Sequence, residues 1–166
     1  MLLLSSQIIN LPVGSLESQS KVGVIRSIVF DPQNGKVLAF LVQTGGLLSA
    51  NRALSTIDVA EIDKQGLVIK SQEELVPIEE IIRLKDVLKR KIPILGQVAK
   101  TESGRGLGRI SDVLIDCQTM AIVKYYLKGL FVGERILPAE NVVEIKKEGV
   151  IFQEDIEPSS AAEVTA

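Results

Sequence analysis

Few residues in this chain are of types that do chemistry. Gly104-Arg105-Gly106-Leu107-Gly108 has the composition of a phosphate-cradling loop: backbone freedom around a guanidinium. Such a loop needs G-x-G-x-x-G after a strand and before a helix, whose N-terminal N–H groups meet the anion. Here the glycine spacing differs and a strand-forming run follows, so the stretch reads as a hairpin turn with Arg105 exposed. Asp31 and Asp116 could serve as acids or metal ligands only if other carboxylates or histidines converged on them. The chain has no histidine, and an Asp that opens a turn normally accepts from its own following N–H groups. Glu79 and Glu80 are adjacent in a helix start and point different ways. Cys117 has no second cysteine to pair with and no imidazole to activate it. No G-x-S-x-G nucleophile motif occurs. The expectation is a protein without catalytic residues, metal or cofactor.

The elements that carry these residues occur twice. Val22–Phe30 reads as a strand closed by the turn Asp31-Pro32-Gln33-Asn34-Gly35, and Lys36–Val42 returns as an almost continuous apolar strand. In the second half, Leu107–Ile115 and Ile122–Leu127 stand in the same order. Gly23, Ile25 and Asp31 match Gly108, Ile110 and Asp116 at a spacing of 85 residues. After the first hairpin loop the spacing falls to 83, pairing Gly46 with Gly129, Arg52 with Arg135, Leu54 with Leu137, Ile62 with Ile145 and Gly66 with Gly149. The change falls in a loop, where insertions cost little. Between the halves, Pro77 opens an acidic first turn, and Ile78, Ile81, Ile82 and Leu88 are expected on one helix face. Lys85, Lys89, Arg90 and Lys91 gather at its C-terminal end, before Pro93.

Hydrophobic residues make up 46% of the chain and aromatics only 4%, so the core is aliphatic and β-branched rather than aromatic. Residues 86–152 carry 11 basic against 8 acidic side chains, and residues 153–166 carry 4 acidic and none basic. A net charge of −2 argues against a dedicated nucleic-acid binder. A single cysteine fits a reducing compartment, Met1-Leu2-Leu3-Leu4 is too short for a signal segment, and no apolar run reaches the ~20 residues that span a bilayer. Together they point to a cytoplasmic protein with no membrane partner.

The run Leu95-Gly96-Gln97-Val98-Ala99, then Leu107 to Asp116, Arg135-Ile136-Leu137-Pro138 with Val142 and Ile145, and the closing Gly149-Val150 resemble the PRC-barrel family. The first copy departs from the pattern: Pro12-Val13-Gly14 replaces the opening glycine, Ser55 stands where Pro138 does, and Ser27 replaces Asp112. The resemblance implies small, roughly six-stranded barrels and a role in protein docking, as in the photosynthetic reaction-centre H subunit and the ribosome maturation factor. Neither the membrane helix of the one nor the N-terminal domain of the other is expected from this sequence.

The expected architecture is all-β: two tandem PRC-like barrels, residues 1–75 and 94–153, joined by a helical linker at 76–93 and followed by a disordered acidic tail at 154–166. Each barrel is small for independent stability, so the two should pack on each other. Leu47 and Leu48, like Leu130 and Phe131, follow a glycine in equivalent loops where polar residues would be usual. They either plug a barrel end or contact a protein partner. The leading expectation is therefore a non-enzymatic adaptor whose partner is another protein, with self-association also open. The alternative is an RNA- or ribosome-associated factor, using Arg105, Arg109, Lys124 and Lys128 to reach nucleic acid through a ribonucleoprotein.

Overall fold

The computed structural model describes residues 1–45, 49–129, 133–157 and 159–160. The fold is all-β, with two short α-helices among the described residues, and one sheet forms a half-barrel. In order, the first half holds β1 (Leu2–Leu4), α1 (Ser5–Ile8), β2 (Pro12–Ser15), β3 (Ser20–Asp31), β4 (Lys36–Thr44), β5 (Asn51–Ser55), β6 (Val59–Ile62) and β7 (Leu67–Ile69). A 3-10 turn at Ile78–Glu80 leads to α2 (Ile82–Arg90). The second half holds β8 (Val98–Thr101), β9 (Gly106–Asp116), β10 (Ala121–Lys128), β11 (Arg135–Pro138), β12 (Val142–Lys146), β13 (Gly149–Phe152) and β14 (Ser159–Ser160).

The registers of the two halves coincide. Val24 lies opposite Gln43, Ile25 opposite Val42, Phe30 opposite Val37 and Asp31 opposite Lys36. The same pairings recur 85 residues on, as Arg109 with Lys128, Ile110 with Leu127, Ile115 with Ile122 and Asp116 with Ala121. Both β-bulges recur at the same offset, one between Ile25 and Ser27 and its match between Ile110 and Asp112. In each half a parallel pairing, β2 with β7 and β8 with β13, ties the first strand to the last. Gly23 and Gly108 are needed where the hairpin strands press closest. A Cβ on Gly23 would lie 2.5 Å from Val42 Cγ1, and Gly108 has φ +128° with the Lys128 carbonyl oxygen 3.1 Å from that position.

The halves meet reciprocally. Val37 N–H donates to the Met120 carbonyl at 2.7 Å and Ile122 N–H donates to the Gly35 carbonyl at 3.1 Å, the same contact made once in each direction. One core runs through both: Val13, Ile25, Phe40 and Leu54 belong to the same buried cluster as Ala99, Ile110, Tyr125 and Leu137. Tyr125 and Phe152 meet edge to face with ring centroids 5.5 Å apart.

Three elements depart from the sequence expectation. Ile82 is 77% exposed and Leu88 37%, while Leu84 and Val87 are the buried residues of α2, packed on Val29, Ala39 and Ala53. The 3-10 turn ends in an extended residue, Ile81, which resets the helical phase, so Ile78 does not share a face with Ile82. Asp58-Val59-Ala60-Glu61-Ile62 reads in sequence as a short turn-like segment, whereas the structure has a 3-10 turn at Thr56–Asp58 and β6 at Val59–Ile62. The tail, expected disordered from its composition, places Ile156 in the core and pairs Ser159–Ser160 with β11.

Candidate docking groove

The N-terminal lead-in crosses to the second half. β1 pairs antiparallel with β9, Leu2 opposite Asp116, Leu3 opposite Ile115 and Leu4 opposite Leu114, and Met1 accepts from Cys117 N–H at 2.9 Å. This uncharged, proline-free run buries Leu3 and Ile8. The Ser5 and Ser6 hydroxyls donate to the two carboxylate oxygens of Asp112, and Ser6 N–H adds a third bond at 3.2 Å. The carboxylate thus latches the lead-in to β9.

The lead-in of the second half crosses the other way, to β3, but as a helix. Arg83 Nε donates to Asp31 Oδ2 at 3.0 Å, and its Nη2 reaches the same oxygen and Gln33 Oε1. Asp31 is buried and its other oxygen accepts from Gln33 N–H at 3.0 Å, so turn capping and the ion pair share one carboxylate. α2 then ends at Lys91, which is left-handed at φ 51° and ψ 49°.

Between this helix end and β3 lies an open groove of about 450 Å³. Ile28, Val29 and Phe30 form its floor, Val87 and Leu88 one wall, and the linker from Lys91 to Leu95 the other. The backbone edge of β3 faces it. On that edge Ile25 bonds with Asn10 and Leu11, just as Ile110 bonds with Gly96 and Gln97 in β9. Beyond Ile25, Ser27–Phe30 have no backbone partner on this side among the described residues. In β9, β1 pairs with Leu114–Asp116, which match Val29–Asp31 of β3.

Of the residues singled out from sequence, Leu47, Leu48, Leu130 and Phe131 lie outside the described residues. The cations are only partly brought together. Arg109 and Lys128 are a directly opposed pair on β9 and β10, while Lys124 is half-buried further along β10, opposite Leu114. Arg109 Nη1 donates to the Gly96 carbonyl at 2.6 Å and Arg105 Nη2 to the Glu154 carbonyl at 3.0 Å. The Glu154 carboxylate, beside Arg105, accepts from the N–H and hydroxyl of Ser103, which hold it below its usual pKa. Both guanidiniums therefore already serve backbone carbonyls.

Asp116 accepts from Gln118 N–H at 2.9 Å and is held below the usual carboxylate range by that bond. Burial pushes the Cys117 thiol up, which makes it a poor nucleophile. Among the described residues no group of three His, Cys, Asp or Glu side chains could hold a metal, and no helix is long and apolar enough to cross a membrane.

A family model for the PRC-barrel domain matches residues 2–92, more than half of the chain. The chain belongs to the PRC-barrel family. The match covers β1 through α2, whereas most of the sequence resemblance was carried by residues 95–150 of the second half. No curated protein matches the chain. In this PRC-barrel protein the groove lies inside the matched region, since all but three of its lining residues, Pro93, Ile94 and Leu95, fall within 2–92.

Sequence reasoning missed the groove. Its signal was there in Ile28-Val29-Phe30, apolar on both strand parities, which requires cover on both faces. Val29 is covered by α2, and Ile28 and Phe30 belong to the main core, but nothing in the sequence shows that the intervening backbone edge stays open.

Proposed function

We propose that this PRC-barrel protein is a non-enzymatic docking module, two barrel units of about residues 1–75 and 94–153 that hold another protein. The repeated register, both bulges and the repeated parallel closure support the two-unit reading. The observation that carries the docking reading is the groove beside Ser27–Phe30, where the partly exposed Leu88 borders a stretch of β3 with no backbone partner on its outer side among the described residues. Covering Leu88 and such an edge is favourable for a partner, because it removes apolar area from water and gives the backbone groups partners.

The test is affinity capture from native lysate with the wild-type chain and Leu88→Asp in parallel, with and without RNase. Leu88 lies at the groove mouth and is partly exposed, so the substitution leaves the core intact. A protein held by the wild type, insensitive to RNase and lost with Leu88→Asp, is the expected result. Capture that disappears with RNase and is unaffected by Leu88→Asp would overturn the docking reading in favour of a ribonucleoprotein contact.

A further inference from the structure

We infer that the cleft between the Pro32–Gly35 turn and β12 binds a small neutral molecule, a short apolar body whose hydroxyl or carbonyl oxygen accepts from the Tyr125 hydroxyl. The site is separate from the docking groove and does not rest on it. The cleft has a volume of about 360 Å³ and lies at the seam, the turn coming from the first half and the rest of its lining, Tyr125 included, from the second. Tyr125 is only 1% exposed. Every wholly enclosed side-chain N or O atom among the described residues has a hydrogen-bond partner. The Tyr125 hydroxyl has none among them, so the little surface this residue keeps is at its hydroxyl. A Cβ on Gly35 would stand 3.5 Å from that oxygen and 4.0 Å from Ile145 Cδ1, which places the hydroxyl on the cleft side of the turn. Burial pushes the phenol pKa up, so the group stays protonated and able to donate.

The other half shows that the fold requires neither the hydroxyl nor the bare turn. Phe40 stands 85 residues before Tyr125, opposite Leu54 as Tyr125 is opposite Leu137, and is fully buried without a hydroxyl. Met120 stands 85 residues after Gly35, and the reciprocal bonds from Val37 N–H to Met120 and from Ile122 N–H to Gly35 fix the match. Both are left-handed, Met120 at φ 53° and Gly35 at φ 65°. Met120 lines the matching cleft and packs against the core, whereas Gly35 puts no side chain into its own. One seam cleft is thus furnished with an apolar side chain, the other with a buried donor and room for an acceptor. A buried hydroxyl without a partner is unfavourable, and a ligand oxygen supplies one. Ile122, Val142 and Ile145 are walls for a short hydrocarbon body. Glu140 and Glu144 line the cleft and no basic side chain does, which repels anions. Glu144 is already paired with Lys146, and a neutral phenol among aliphatic walls is a poor host for a cation. A neutral head fits best.

The test titrates the full chain with four probes of one size, 1-butanol, 2-butanone, butylammonium and butyrate, and follows the amide resonances of isotope-labelled protein. Expected are saturable shifts at Gly35 and Ile122 with the alcohol and the ketone, and binding of the two charged probes weaker by roughly tenfold or more. Tyr125→Phe, which copies Phe40, should weaken butanone binding about fivefold, while the thermal transition of the unliganded chain stays the same or rises. Gly35→Met, which copies Met120, should abolish the shifts. No saturable shift with either neutral probe, equal affinity in Tyr125→Phe, or charged probes binding as well as neutral ones would each overturn the inference. So would shifts that persist in Gly35→Met. A lower thermal transition in unliganded Tyr125→Phe would also overturn it, because the hydroxyl would then be serving the fold.

Discussion

β9 and β3 match residue for residue in their pairing with β10 and β4, yet their outer edges finish differently. β9 is capped by β1, whose Leu3 is fully buried, and latched through Ser5, Ser6 and Asp112. β3 is flanked by a charged helix end, latched through Arg83 and Asp31, with its edge left open. The strands themselves do not decide between these outcomes; the lead-ins do. Met1 to Leu4 carries no side-chain charge and every strand residue has an N–H to give, so it extends along the edge. Lys89, Arg90 and Lys91 keep water, and Pro93 cannot donate, so that lead-in stays helical and then turns away. A closed edge and an open one can therefore be made from the same strand by changing a few residues that precede it.

Breaking the closed edge gives the largest expected effect. Leu3→Asp places an unpaired charge in the core and should cost about 4 kcal/mol or more, read as a lower urea midpoint with faster exchange at Leu114–Asp116. Leu84→Ala, which empties the contact of α2 with Val29, Ala39 and Ala53, should cost ~2–4 kcal/mol and loosen the groove wall, with the urea midpoint again the measure. Asp112→Ala leaves the Ser5 and Ser6 hydroxyls without their acceptor, Ser5 being buried, and is expected to cost ~1–3 kcal/mol. Its thermal transition should fall by less than that of Leu3→Asp.

Leu88→Asp sharpens the comparison from the open side. Stability should stay within ~0.5 kcal/mol of wild type, while binding at the groove is lost. A large drop in the melting temperature would mean Leu88 closes the edge rather than borders it. The smallest effect concerns Glu154. Its carboxylate is depressed in the fold by Ser103, so its contribution is present above the unfolded carboxylate range and fades as pH falls through the folded value. A carbon-detected titration should show its midpoint below that of an exposed glutamate, and Ser103→Ala should return it towards normal.

The sequence was most legible where local chemistry and periodicity agree. The hairpin around Asp31–Gly35, the glycine pair at 23 and 108 and the 85-residue offset all reappear in the pairing, because a turn and an alternating strand are encoded within a dozen residues. The helix face was misjudged at one residue: Ile81 breaks the helical phase, a backbone event that no apolar spacing reports. β6 was passed over because its middle residues, Ala60 and Glu61, are exposed and carry no alternating apolar signal. The alternative RNA contact at Arg105, Arg109, Lys124 and Lys128 was read from charge, which cannot show that Arg105 and Arg109 donate to backbone carbonyls.

By itself the sequence determined an aliphatic all-β chain of the PRC-barrel type with two matching halves, since residue pattern, turn residues and close-contact glycines act over short range. Only the tertiary structure decided that each half sends its lead-in to the other, that one lead-in becomes a strand and the other a helix, and that an edge is left open as a result. Those outcomes depend on which segment reaches an edge first with donors, acceptors and apolar surface to match it, a competition between residues 106 to 114 positions apart in the first half's case and 50 to 52 in the second's.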